Sequence, residues 1–416
     1  MLSLPRLLAE RESLLTLRQT LLVVAPSVPE FDRYAGSLRF FTILRILSRD
    51  YRIIFLGAVK PEGERYVAAL TALGVEFHHA PGSDIEVLLP QVEVGVFFEF
   101  YSAAEDYLDV VRLVRSDLPI IVDSVDLHFV RQGRAVAYAG VSQPAKRRAL
   151  DTRERELDVY RRADLVIVVT ESDKRTLLGY LPDSRIAVVP TIHQEPTEVP
   201  GFLDRRPNSL LFVGGFEHAP NGDAVLFFCR EVLPLIREAV PDVIVTIVGD
   251  APPEEVRALA SDTVKVTGWV PEVKPYLDSH VVSIAPLRFG SGMKGKVGEA
   301  MANGLPVVAT TIAAEGMELS DGDTALIADS ADEFAGAVVS LLRDQALHHR
   351  LSTNGRRAAR TRWSEAVVGE RVLALMKTLP ELSPKRVAVQ RRVLWAARIF
   401  LRRLGAGRLL RRLRAY

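Results

Sequence analysis

The sequence predicts an α/β protein made of two doubly wound, Rossmann-like domains, and three observations carry that prediction. Short apolar runs alternate with helix-length segments along most of the chain. The runs are continuously apolar, as in LVIVV at 165–169, which marks strands buried on both faces of a parallel sheet. A stretch at 191–207 rich in Pro, Glu and Arg has no apolar period and divides the chain into halves. With 416 residues, 48% of them hydrophobic, each half can bury a core of its own.

Taken in order, residues 1–19 read as a polar-faced helical extension. The first domain, 20–190, opens on the run Leu21 to Ala25. The loop VPEFDRYAGSLRF follows, with Gly36 ahead of a helical pattern through Leu38, Phe41, Leu44 and Leu47. Strands are expected at 53–56, 75–78, 94–98, 120–122, 165–169 and 186–189, with helices at 62–73, 105–114 and 144–162 between them. His128 falls in the loop after 120–122, the side of an α/β sheet that presents functional groups. The second domain, 208–360, opens on Leu210 to Val213 and the glycines Gly214 and Gly215. Strands VIVTIVG and VKVTGWV come next, then a helix at 272–277. Helices are expected at 331–342 and 347–360, a further one at 361–378, and a basic tail at 379–416.

Charge separates these parts. The tail holds 11 Lys or Arg and one acid, which leaves 42 basic and 51 acidic residues in the body. An acidic body argues against nucleic-acid binding. From 385 to 413 one helical face carries Val393, Leu394, Ala397, Phe400, Leu401 and Leu404 and the other is rich in arginine. Such a helix suits an anionic membrane surface, docking on protein being the plainer alternative. The single cysteine, Cys229, forms no internal disulfide, and eight histidines leave little for a metal cluster, so no metal is expected. Glu10 and Glu12 interrupt any apolar leader, and no run reaches spanning length. The expected location is cytoplasmic, peripheral on the inner membrane face.

The richest stretch is HVVSIAPLRFGSGMKGKVGEAMANGLPVVA, 280–309. A strand, a loop with three glycines and two lysines, a helix around 297–302 and a second strand form a βαβ unit. Glycines admit close backbone approach, the helix start offers unpaired N–H groups, and Lys294 and Lys296 add positive charge. Together they favour a phosphate there. Gly290, Gly292 and Gly295 also spell GxGxxG, but no acid stands at the end of the next strand, where Ala309 and Thr310 lie. A dinucleotide site is thus disfavoured. Asp321–Gly322–Asp323 reads as a turn.

This stretch resembles the donor-binding segment of the group 1 glycosyltransferases, which have the GT-B fold, retain anomeric configuration and carry a Glu–x7–Glu pattern before EAMAxGxPVV. Glu299, Ala300, Met301, Ala302, Gly304, Pro306, Val307 and Val308 match it, whereas Ser291 stands in place of the first acid. Gly290 to Ala302 is similar to the variant GxGxRLKxxEAMA, with Lys294 replacing the arginine. The resemblance implies that a nucleotide-diphosphate sugar is the donor and a glycan or lipid-linked compound the acceptor, in surface polysaccharide or glycoconjugate synthesis. The donor itself is a substrate, and no cofactor is implied. Glu299 would hold the ribose hydroxyls. Gly214, Gly215, Val270, Ser291, Gly292, Met293 and Glu315 would line the donor, and Lys294 and Lys296 would meet the diphosphate. The loop after Gly215 lacks the family's cations, with no Arg or Lys before Arg230. His128 corresponds to a histidine near the donor sugar. Gly36 lies where the first loop closes over the phosphates, although a plain glycine at the start of a helix reads equally well. The resemblance also makes 361–378 a crossover helix returning to the first domain. A GT-B sugar-nucleotide epimerase and a non-catalytic GT-B subunit are the alternatives.

Overall fold

The computed structural model describes residues 18–80, 84–139 and 143–385. The helical extension expected at 1–19 and the basic tail at 379–416 lie outside the described residues, except for their inner ends.

Among the described residues the first lobe is a seven-stranded sheet. It comprises β1 (Thr20–Ser27), β2 (Arg52–Ala58), β3 (Glu76–His79), β4 (Gly95–Glu99), β5 (Ile120–Asp123), β6 (Leu165–Val168) and β7 (Ile186–Val188). The order is β3-β2-β1-β4-β5-β6-β7 and every pair is parallel. The second lobe has β8 (Ser209–Val213), β9 (Ile244–Val248), β10 (Val264–Gly268), β11 (Val282–Ala285), β12 (Val307–Ala309) and β13 (Leu326–Ile327). Its order is β10-β9-β8-β11-β12-β13, again all parallel. This is the doubly wound pair that the apolar runs predicted. Only β13 was not expected: two residues carry too little pattern to show.

Topology fixes where ligands can go. In a doubly wound sheet the strand order reverses at one point, and a crevice opens there at the carboxyl ends of the strands. In the first lobe it lies between β1 and β4, in the second between β8 and β11. The Gly214–Gly215 loop follows β8 and the lysine-bearing loop follows β11, so both line the second crevice.

Packing then joins the lobes. Helix Glu365–Lys377 sets Val368, Val372 and Met376 into the core around Leu21, Ile43 and Ile46 of the first lobe. Gly369 permits its close approach to Ile46, and Arg45 pairs with Glu365 at 2.5 Å. Inside the first lobe Arg39 and Asp123 form a fully buried pair at 2.6 Å. Arg39 also donates to the carbonyls of Val189 and Pro190, fastening helix Ala35–Leu47 to the ends of β5 and β7. A buried pair of this kind is tolerable because its remaining donors are satisfied.

The short helix Gly295–Ala302 begins two residues before its expected start. It is built of small residues because it is squeezed from two sides. A Cβ on Gly295 would lie 2.6 Å from that of Ala35, and one on Gly298 would lie 2.6 Å from Cδ2 of His193. The His193 ring cannot retreat, since Thr191 Oγ1 lies 3.1 Å from its Nε2 and Trp363 packs edge-on against it. Gly298→Ala is therefore expected to lower stability by about 2 kcal/mol through overpacking. Thermal denaturation would measure the loss, and His193→Ala in the same chain should recover most of it.

Candidate functional site

The second crevice gathers the residues singled out around 290–299. Lys294 precedes the helix; its Nζ donates to the carbonyls of Gly292 (2.7 Å) and Ser291 (3.3 Å). Lys296 Nζ donates to Asn221 Oδ1 at 2.5 Å and stands 4.1 Å from the ring centroid of Phe212. Asn221 in turn donates to the carbonyl of Gly215 at 2.7 Å. A Cβ on Gly214 would come within 2.6 Å of Lys296 Nζ, so the glycine loop and the lysine touch. The cation missing from the loop after Gly215 is thus supplied in space by Lys296.

Among the described residues no carboxylate lies within ion-pair distance of either lysine. Burial lowers the pKa of Lys294 to about 8, although Glu315, Asp173 and Asp126 oppose the shift at longer range. Burial, with the neighbouring Lys294, lowers Lys296 to about 7. Glu299, one turn along the helix, is densely enclosed yet keeps part of its surface open. Burial raises it to about 7, and it has no hydrogen-bond partner among the described residues. The buried hydroxyl of Ser291 also lacks a partner. Leaving such groups unmet is costly. Two lysines without anions and a carboxylate without donors, at a crevice and a helix start, are what a ligand carrying a diphosphate and hydroxyls would satisfy.

The first lobe closes on this cradle. Gly292, at φ +66°, is set against Asp126, which leaves 3.2 Å between a Cβ there and that of Asp126. Met293 Sδ accepts from Thr191 Oγ1 at 2.9 Å. Arg134 binds both carboxylate oxygens of Glu315, one at 2.8 Å, and donates to the Gly290 carbonyl. Glu315 is therefore held by the opposite lobe, and Arg134 lowers its pKa. Val125 carries φ +58°, a costly conformation for a β-branched residue, where the two lobes meet. Val270, just beyond β10, is half-buried at the edge of its lobe.

His128 corrects one expectation: it does not lie in a loop but begins the helix His128–Ala139. Its Nδ1 stands 3.1 Å from Asp126 Oδ1 and 3.8 Å from Glu156 Oε1, without hydrogen-bond geometry to either. Burial works against its charge, but Glu156 and Asp126 outweigh it and raise its pKa. The backbone N–H groups of His128 and Phe129 donate to the Glu156 carboxylate, which fixes the helix start. Gly36 is the second residue of helix Ala35–Leu47 and lines a cavity at the first crevice.

Asn221, Asp126, Arg134 and Thr191 were not expected at the site. Each enters through a partner 75 or more residues away, or, for Asp126, across the gap between lobes. Asn221 had one visible signal, its place directly after Pro220 at a helix start that follows the glycine pair.

Residues 207–344 match the family model described as Glycosyl transferases group 1. A phosphatidyl-myo-inositol mannosyltransferase of Mycobacterium leprae is 30% identical over 182 residues, 42% of this chain and 48% of that protein. The chain therefore spans about half the length of the curated relatives it matches. Among solved structures, sucrose-phosphate synthase from Thermosynechococcus elongatus is similar with a TM-score of 0.67 at 15% identity, over 88% of this chain and 100% of that one. Anabaena Alr3699/HepE in complex with UDP-glucose is similar with a TM-score of 0.63 at 13% identity, over 87% of this chain and 100% of that one. Residues 207–344 are thus similar to the group 1 glycosyltransferase family, and the described chain has the GT-B fold.

Proposed function

We propose that the protein transfers a sugar from a nucleotide-diphosphate donor to a glycan or lipid-linked acceptor, with retention and without a metal, in the synthesis of a surface polysaccharide or glycoconjugate. The observation that carries this reading is the pair of anion-free lysines, Lys294 buried and Lys296 half-buried, beside the unpartnered Glu299. The matches to a mannosyltransferase and to a protein solved with UDP-glucose support it. Glu299 accepts from the ribose hydroxyls. Lys294, Lys296 and the first N–H groups of their helix hold the diphosphate, with Gly214, Gly215, Ser291, Gly292 and Met293 around it. As the bond from the anomeric carbon to the phosphate oxygen breaks, charge grows on that oxygen. Fixed cations favour this state over the ground state. The acceptor oxygen bonds to the anomeric carbon on the same face, and its proton passes to the departing phosphate oxygen. His128, raised towards its charged form, faces the sugar end of the donor.

A thermal-shift screen against UDP-, GDP- and dTDP-sugars tests the reading. A ligand at a hundred times its Kd adds about 2.7 kcal/mol, a clear rise in melting temperature. If no sugar nucleotide shifts the transition, the reading fails. The pH response provides a second check. In the free protein both lysines lose their protons between pH 7 and 8, and a bound diphosphate restores them. Donor binding at pH 8 is therefore expected to take up protons, and affinity to fall as pH rises beyond that. Calorimetry in buffers of different ionisation enthalpy would measure the uptake, and identical heats in all buffers would contradict it.

A further inference from the structure

The first crevice holds a cavity of about 220 Å³ between β1 and β4, lined by Ser27, Glu30, Tyr34, Ser37, Glu99 and Phe100 among others. Its chemistry is uneven. Lys60 donates to Glu30 at 2.6 Å, and Tyr34 donates across the lobes to Glu217 at 2.9 Å, so these groups are engaged. The hydroxyls of Ser27 and Ser37 have no partner among the described residues, and neither does the carboxyl of Glu99. Glu99 is only 4% exposed and ends β4, directly opposite Asp123 of β5. Arg39 is committed to Asp123, so the nearest cation is spent and Glu99 faces the cavity alone. Burial, then the charge of Asp123, raises its pKa well above the carboxylate range against the pull of Arg39. Phe100, at φ +66°, turns the chain sharply at this point, a strained conformation retained beside the cavity.

We propose that this cavity seats the terminal, uncharged sugar ring of the acceptor, and that Glu99 is the residue that selects it. The inference rests on the transferase reading above and narrows its acceptor. A buried acid kept neutral both donates and accepts hydrogen bonds, as do the two serine hydroxyls, and together they match vicinal hydroxyls on a ring. An anionic group here would meet the Glu30 carboxylate, and the lining lysine, Lys60, is already paired with it, so a phosphate finds no free cation among the lining residues. The volume suits a single ring and not an extended chain. Ala35 packs on Gly295 of the donor loop, which places the cavity next to the diphosphate cradle. Glu99 is a specificity-determining group here, because the proton of the reacting hydroxyl leaves on phosphate.

Saturation-transfer NMR on the full chain with UDP present provides the test. The probes are methyl α-D-glucoside, methyl α-D-mannoside, methyl α-D-galactoside and N-acetylglucosamine, set against glucose 6-phosphate and mannose 6-phosphate. At least one neutral sugar is expected to bind, with the phosphates at least tenfold weaker. Glu99→Ala should weaken the neutral sugar about tenfold and Glu99→Gln less than threefold, with the Kd for UDP unchanged in both. Should alanine fail to fold, Glu99→Met keeps the volume, removes both oxygens and carries the same expectation. Absence of binding by all four neutral sugars would overturn the inference. So would equal binding of the phosphates, or a Glu99 variant that weakens UDP-glucose but no free sugar. If UDP binds and no neutral sugar depends on Glu99, only this inference fails. If a neutral sugar depends on Glu99 and no nucleotide binds, the transferase reading fails instead.

Discussion

Lys296→Met is expected to lower the transfer rate by at least about a hundredfold while raising the melting temperature. The two effects have one cause. The side chain is densely surrounded yet keeps part of its surface open, and burial brings its pKa from the ordinary 10.5 to about 7. A lysine whose pKa is depressed on folding is stable as the neutral amine. Its contribution is most favourable above the unfolded value and is lost as pH falls from 10.5 towards 7, where the unfolded chain binds a proton that the folded one refuses. Near pH 7.5 this penalty is on the order of 4 kcal/mol. The bond to Asn221 and the contact with Phe212 return about 1 kcal/mol each. Methionine keeps the length and apolar stem of the side chain while discarding the charge, so the free protein should gain stability. The diphosphate in turn loses the cation nearest the Gly214 loop. Rates with donor and acceptor, together with a melting curve on the same sample, decide the matter. A variant that is both slower and less stable would mean that Lys296 is a structural residue.

Glu299→Gln is the second large effect. Burial raises the carboxyl from 4.5 to about 7, so ionisation opposes folding. For a carboxyl with a raised pKa the penalty is absent below the unfolded value, grows between pH 4.5 and 7 and stays constant above. At pH 8 it amounts to about 3 kcal/mol. The amide removes it, so the variant should melt higher than the parent at pH 8, and the two should converge near pH 4.5. Donor affinity should move the other way, by about 10- to 100-fold, because two charge-assisted hydrogen bonds from ribose are weakened. Calorimetry with UDP and melting curves at several pH values measure both. A stability gap that does not change with pH would show that the carboxyl is solvated, contrary to its burial.

These expectations also show which levels of organisation are legible in one dimension. Both lobes are written in runs such as LLVVA, LVIVV and VIVTIV, because strands buried on two faces need only local composition to declare themselves. The lysines and Glu299 were visible for a similar reason: they lie within six residues of one another at a strand–helix junction. Helix His128–Ala139 was not, since HFVRQGRAVAYA has little net apolar character to mark it.

What the sequence determined alone is therefore the alternation of strand and helix, the division into two halves and the placing of a loop rich in glycine and lysine at the end of β11. Tertiary structure decided the rest. It brought Asn221 to Lys296, Arg134 to Glu315, Asp126 to Gly292 and His193 to Gly298, and it committed Arg39 to Asp123 so that Glu99 was left alone in its cavity. The physical reason is range. Backbone geometry and apolar periodicity act over a few residues, whereas burial and charge depend on whichever segments the fold brings within a few ångströms.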